Sequence, residues 1–398
     1  MRIQLLTHSF GPEVSPPQRR WYAFVETFLN EGVDVDVVAP NRYGRRAWHP
    51  FSHLDVEVGP GRFRLLTFPF KMNASRWSTK VLAHFAMVLF MVPKSLVALR
   101  PDLVVVTVPA LPTLIAGYIV SKLRRVPLVV EMRDAWPELL EESGIIRWKL
   151  AERVSVWVIR GIQSSASLVV AVTPGHAKRL VDDGIETVST VSNGYSFASL
   201  PRMKSHQSNC DSKLRVLYLG NLGESQGLEH VLDIAAVSQE WLDLRIVGRG
   251  SALSRLQNRA TELGLSGIFV PSVKSEGVLE WYDWADTCLV SLRDDWESFE
   301  YTVPSKLFEL AGYGCHITGL VRGEAADLIS EYRLGTSVGG DVLGISRTLG
   351  ELSNEIKGWK FDREALEAFK SKYDLESLAL DYHLLLSEHL SNLREGRK

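Results

Sequence analysis

Short apolar runs alternate with amphipathic stretches along this chain. Residues 3–8 read as a first buried strand. A loop with Gly11, Pro12, Pro16 and Pro17 follows, then helical spacing over 19–31, ended by Gly32. Further strands are expected at 34–39, 103–107, 128–132, 168–173 and 187–191, with helices over 111–122, 148–163 and 175–183. A turn at 192–194 and a polar linker at 204–213 close this block, and the pattern restarts. Strands at 214–219, 244–247, 268–270, 287–292 and 317–321 alternate with helices at 228–237, 251–262, 279–285 and 305–314. The tail, 362–393, reads as helices. Alternation of this kind predicts two doubly wound α/β domains, each a mostly parallel sheet covered on both faces. A ligand is expected beyond the carboxyl ends of such strands.

Composition narrows the picture slightly. A chain of 398 residues exceeds one ordinary core, and 45% hydrophobic with 23% charged residues is ordinary globular composition. A net charge of −2 gives no global field for nucleic acid. Cys210, Cys288 and Cys315 suit neither a disulfide framework nor a zinc site, which favours a reducing compartment. The first residues are not read as a signal peptide. The apolar stretch 81–93, bounded by Lys80 and Lys94, is short of the ~20 apolar residues a helical span needs. No acid occurs from Gly59 to Pro101, whereas basic and aromatic residues are interspersed over 62–100. That stretch suits an interfacial helix on anionic lipid, against a core helix with basic flanks.

Four segments carry candidate chemistry. GNLGESQG (220–227) follows a strand; its glycines let backbone N–H groups approach a phosphate at a helix N-terminus, although, taken alone, a plain strand-to-helix turn accounts for the pattern more simply. It is neither a Walker loop nor a GxGxxG fingerprint. In VGRGS (247–251), Arg249 suits a phosphate or is a solvated turn residue. In VPSKLFEL (303–310), Pro304 precedes a helix, Ser305 suits its N-cap, and Ser305 and Glu309 share a face. Lys306 has the wrong sign for that helix end, as expected if it faces an anion, and Glu309 can accept from ribose hydroxyls. EMRDAWPE (131–138) ends a first-domain strand; Asp134 can orient a hydroxyl or act as a base, and a salt-bridged loop is the plain alternative. Asp294–Asp295 lacks a third ligand, Asp34 and Asp36 read as strand alternation, and Pro50 separates His49 from His53, so no metal or cofactor is expected.

In order, GNLGESQGLEHVLDIA, LRIVGRGS, VPSVKSEGVLEWYDWADTCLVSL, VPSKLFELAGYG and GEAADLI resemble the C-terminal domain of family 4 retaining glycosyltransferases. PDLVVV, VVEMRDAWPE, VVAVTPGHAKRL and TVSNGYS match the N-terminal half more loosely. RDAWPE with VPSKLFE is most similar to the bacterial O-antigen, capsule and exopolysaccharide branch. The resemblance implies a GT-B fold, two Rossmann-like doubly wound domains facing across a cleft. The expected domains are 1–195 on the acceptor side, 196–370 for the nucleotide-sugar, and a helical tail, 371–398, packing back on the first.

The same resemblance implies the site. Glu309 falls on the ribose, Lys306 on the diphosphate, and Val273 with Lys274 around the nucleobase. Gly220, Asn221, Gly223 and Gln226 form the diphosphate loop beside Gly248 and Arg249, with Ser305 at the helix start. Asp134 faces the reacting sugar, and Gly11, Arg133 and Glu138 stand on the acceptor side. Three positions depart from the family. Tyr301 stands where the first of two paired glutamates is expected, with Glu300 one residue away; Asn221 and Gln226 replace an Arg and a Lys; and Ser15-Pro16-Pro17 replaces a Gly pair. The implied reaction moves a sugar, an N-acetylamino sugar among the candidates, from a nucleotide, commonly UDP, to a glycan or polyprenyl-diphosphate-linked acceptor, with retention. The location implied is cytoplasmic, peripheral on the membrane's inner face. A GT-B sugar-nucleotide epimerase, a degenerate nucleotide-sugar-binding protein and an NAD-dependent oxidoreductase are the rival readings.

Overall fold

The computed structural model describes residues 1–10, 16–41, 60–69, 77–108, 111–144, 146, 148–200, 202–204, 213–273 and 275–396. Gly11, Lys274, Ser15, His49, His53, Cys210, 205–212 of the expected linker and 70–76 of the basic stretch lie outside the described residues. The chain forms two compact units, one of Met1–Ser196 with Asp374–Lys398, the other of Phe197–Tyr373.

The first unit runs β1 (Arg2–Leu6), α1 (Pro16–Asn30), β2 (Asp34–Asn41), β3 (Phe63–Pro69), α2 (Trp77–Val97), β4 (Leu103–Val108), α3 (Leu111–Arg124), β5 (Leu128–Met132), α4 (Glu138–Ser143), α5 (Lys149–Ser165), β6 (Leu168–Ala171), α6 (Pro174–Asp182) and β7 (Val188–Thr190). All seven strands are parallel, in the order β3-β2-β1-β4-β5-β6-β7. The strands LVVVTV and LVVEM are buried throughout, as expected of a sheet covered on both faces. Leu103, Val105, Val129 and Val170 point to a layer containing α1, while Val104, Val106, Val130 and Met132 pack under α2, α3 and α5.

The second unit runs β8 (Leu214–Asn221), α7 (Leu228–Val237), β9 (Leu242–Arg249), α8 (Leu253–Glu262), β10 (Phe269–Val270), α9 (Ser275–Trp284), β11 (Thr287–Ser291), α10 (Ser305–Gly312), β12 (Ile317–Leu320), α11 (Gly323–Glu331), β13 (Gly335–Ser337), α12 (Val342–Gly358) and α13 (Arg363–Tyr373). Its parallel order is β10-β9-β8-β11-β12-β13. The last helix, α14 (Leu375–Glu395), belongs to the first unit and packs on α1 through Leu378, Tyr382 and Leu386. Both orders place a topological switch point, β1 beside β4 and β8 beside β11, where successive loops leave to opposite faces.

Two readings of the sequence are corrected here. β3 is an edge strand inside the stretch read as a membrane segment, and Arg64 is committed to Asp36 at 2.8 Å rather than free for lipid. Glu131, grouped with the chemistry of EMRDAWPE, is a structural carboxylate. It accepts from Arg20 Nε and Trp21 Nε1, both at 2.9 Å, and Arg20 also donates to the carbonyls of Val191 and Ser192. Arg20, Trp21, Glu131 and Val191 all lie in the interior, so the pair is a satisfied network fastening α1 to β5 and to the end of β7.

Candidate functional site

In the second unit the carboxyl ends of β8 and β9 pair in register, Gly220 beside Gly248 and Asn221 beside Arg249. Gly248 has φ +157°, and a Cβ there would come 2.0 Å from the Gly220 carbonyl. The two strand ends and the loop after β10 enclose a groove of about 260 Å³, lined by Leu219, Gly220, Asn221, Val247, Gly248, Arg249, Ser272 and Val273. Five residues expected to bind the donor therefore meet in one place. Arg249 is exposed, with no ion pair among the described residues. Gly248→Ala should force the strand ends apart, costing about 1–3 kcal/mol. The expected outcome is a lower melting temperature together with a donor KM raised about tenfold, the equivalent of some 1.4 kcal/mol; thermal unfolding and initial rates check both.

The loops after β8 and β11 are stitched together at the switch point. Ser291 Oγ donates to the Gln226 carbonyl at 2.7 Å, and Arg293 N–H to the Ser225 carbonyl at 3.0 Å. Gln226 turns its Oε1 inward to accept from Gly223 N–H at 2.9 Å. Its side chain organises the loop, rather than standing ready as the missing lysine's substitute.

At the start of α10 the expected N-cap is corrected: Pro304 occupies that position and Ser305 is the first helical residue, so no side chain caps the helix. The amides of this first turn are thereby left for another acceptor. Lys306 Nζ donates to Tyr282 Oη at 2.9 Å and lies 3.3 Å from Glu309 Oε1, which accepts from the same hydroxyl at 2.8 Å. Burial, then the Glu309 charge, pushes the Tyr282 pKa well up, so the phenol stays a neutral donor. Tyr282 escaped the sequence reading because EWYDWAD reads as an ordinary amphipathic helix; only the fold brings α9 beside α10. Tyr301 ends a 3-10 turn, Glu297–Tyr301, and is half-buried. Glu300 pairs with Arg322 at 3.0 Å and does not stand in for the absent glutamate.

A larger cavity, about 640 Å³, lies beside the same switch point and contains none of the expected site residues. Its arginines are engaged already: Arg255 with Glu224 and Glu229, Arg293 with Asp295, and Arg322 with Glu300. The smaller groove differs in having half-buried glycine backbone and, among the described residues, no ion pair at Arg249.

In the first unit, Arg133 and Asp134 follow β5 at the carboxyl edge. Arg133 Nε and Nη1 are shut off from solvent without a partner among the described residues. Burial raises the Asp134 pKa above the ordinary carboxylate value, while the Arg133 charge pulls the other way. Glu138 starts α4 and sits 3.6 Å from Arg179 and 4.0 Å from Arg160; its side chain is largely buried, and that burial raises its pKa. Among the described residues no His, Cys, Asp and Glu cluster fit to hold a metal occurs, and no helix is long and apolar enough to cross a membrane.

Residues 17–194 match the glycosyl transferase 4-like domain. A stretch of 106 residues is 33% identical to WcaI of Escherichia coli (strain K12), named as a colanic acid biosynthesis glycosyl transferase; it spans 26% of this chain and 26% of that protein. Among solved structures, Anabaena HepE in complex with UDP-glucose is similar over 98% of this chain and 100% of its own, at TM-score 0.66 and 16% identity. The sucrose-phosphate synthase of Thermosynechococcus elongatus covers 98% and 99%, at TM-score 0.68 and 14% identity. At these identities the likeness is one of fold: two Rossmann-like domains, the GT-B arrangement.

Proposed function

We propose that this chain, a glycosyltransferase by the family of its N-terminal domain and GT-B in fold, transfers a sugar from a nucleotide, UDP in the first instance, to a glycan or polyprenyl-diphosphate-linked acceptor of bacterial surface polysaccharide. The observation that carries the reading is the glycine-walled groove with Arg249 at the second unit's carboxyl edge, supported by the Tyr282–Lys306–Glu309 triangle on α9 and α10. Glu309 holds the ribose and Lys306 the diphosphate. The leaving charge is stabilised by Lys306, Arg249 and the uncapped first turn of α10. Asp134 faces the reacting sugar, no protein nucleophile is used, and configuration is retained. No metal or cofactor is required. The acceptor reaches a protein seated peripherally on the cytoplasmic face of the membrane through α2, the helical part of the 62–100 stretch.

The relatives support this reading by their names and bound ligands: the E. coli protein is named for colanic acid, and the Anabaena structure holds UDP-glucose. The test is a thermal-shift screen of UDP-, GDP- and dTDP-sugars. A ligand at about one hundred times its Kd should stabilise the protein by some 2.7 kcal/mol. A panel in which no nucleotide sugar shifts the transition overturns the proposal. Tyr301 and the inward-turned Gln226 favour one second reading, a protein that binds the nucleotide sugar without transferring it; binding with neither transfer nor hydrolysis would decide for it.

A further inference from the structure

Among the described residues, nothing in the first unit covers the outward face of α5. Trp148 is 78% exposed, Leu150 76%, Val154 51% and Trp157 74%. Leu150, Val154 and Trp157 recur at helical spacing on one face, while Ile159 and Ile162 are buried beneath the helix. The exposed positions among 148–157 carry only two charges, both basic: Lys149 and Arg153. Two exposed tryptophans on a basic amphipathic helix are the composition of a bilayer interface.

A second exposed apolar stripe lies in the same helical layer. α2, α3 and α5 pack side by side on one face of the sheet and share one core. On α2, Leu89 is 73% and Val97 77% exposed, with Phe90 half-exposed between them. The outward faces of α2 and α5 therefore point to the same side. Because α5 leads into the start of β6, its N-terminal end, with Trp148 and Leu150, lies toward the carboxyl edge of the sheet, the edge that holds Arg133 and Asp134.

We infer that α5 is a second membrane-docking element, seated with α2 in the headgroup layer of an anionic bilayer, and that it presents the first unit's carboxyl edge to an acceptor held in that bilayer. The lipid-bound acceptor rests on the proposed transfer; the docking itself does not. Charge selects the occupant. Anionic headgroups neutralise Lys149 and Arg153, whereas the matching exposed positions of a second copy offer them no acid, Glu152 being half-buried. This goes beyond the 62–100 stretch, because α5 lies outside it and contributes tryptophans.

The test is co-sedimentation of the full chain with vesicles of mixed phosphatidylglycerol and phosphatidylcholine, against phosphatidylcholine alone, at low salt. The wild type should bind the anionic vesicles preferentially. Trp148→Ser with Trp157→Ser should lower its partition about tenfold or more, from lost interfacial apolar contact. Lys149→Glu with Arg153→Glu should remove the salt-sensitive part of binding. Val237→Ser with Leu343→Ser, exposed apolar residues of the second unit, should change nothing. All substituted side chains are exposed, and an unchanged circular dichroism spectrum confirms folding. Wild-type partition of the tryptophan variant, with loss on Leu89→Ser/Phe90→Ser, overturns the role of α5 and leaves α2 docking intact. Wild-type partition accompanied by conversion of a dimer to a monomer assigns the face to a second copy and also overturns it. Failure of every nucleotide sugar in the thermal screen would sink the transfer reading without touching this result.

Discussion

Replacing Lys306 by alanine is expected to lower kcat/KM for the nucleotide sugar by about a hundredfold, the scale seen when one preorganised charge-stabilising group is removed. Lys306 stands in the first turn of α10, where the helix end already presents positive partial charge. A cation there is unfavourable for the isolated helix, and it is held by Tyr282 Oη and Glu309. Those partners offset the conflict in the ligand-free protein. A diphosphate arriving at the same helix end would take over as acceptor and let Glu309 turn to the ribose. The loss should fall mainly on kcat, because negative charge on the leaving diphosphate grows toward the transition state. Stability should change little: the ammonium is partly exposed, and Glu309 keeps its hydrogen bond from Tyr282. Steady-state rates with paired melting curves check both parts, and near-normal kinetics would remove Lys306 from the site. Lys306→Arg keeps the charge but not the fit between Tyr282 and Glu309, so only partial recovery is expected.

The fold was legible because its strands are short, apolar and β-branched, as in 103–107 and 128–132, and because glycine and proline punctuate between them. β3 was not. FRLLTFP breaks apolar–polar alternation at Leu65–Leu66, and Arg64 finds its partner, Asp36, only across the sheet. A one-dimensional reading sees there a basic, aromatic stretch without acids. The site was legible where backbone dictates it, at Gly248, which needs a residue without a side chain against the Gly220 carbonyl. It was misread where a side chain serves its own loop: Gln226 holds Gly223, and Glu131 holds Arg20. Spacing along the chain gives neither partner. Tyr282 and the exposed tryptophans of α5 were invisible for a related reason. Whether an aromatic in an amphipathic helix faces the core, a cation or solvent depends on which neighbouring element is packed against it, and that is a property of the fold.

Asp134→Asn should lower kcat by about 10²–10⁴-fold, the range for a positioned acid or base, and should do so with a characteristic dependence on pH. In the wild type, burial raises the carboxyl pKa. If the charged form faces the reacting sugar, activity should be low in acid and climb as pH passes the raised value, and the asparagine variant should lack that limb. Stability should move in the opposite direction. A carboxyl whose folded pKa lies above its unfolded value retains its proton in the native state where the unfolded chain has lost it. Its favourable contribution is complete below the unfolded pKa and disappears as pH rises through the folded one. Above that window the wild type keeps a partly buried carboxylate ionised, with the Arg133 charge as compensation and no hydrogen bond to the carboxylate among the described residues. The neutral amide has no such cost, so the variant should be the more stable protein at neutral pH and should lose that advantage in acid. Urea unfolding at both ends of the range, beside a pH–rate profile, separates the outcomes. A variant slower and more stable at neutral pH identifies a carboxylate kept for chemistry at the expense of the fold. A variant slower and less stable there would mean that Asp134 is a structural partner of Arg133, and the place facing the sugar would pass to another residue.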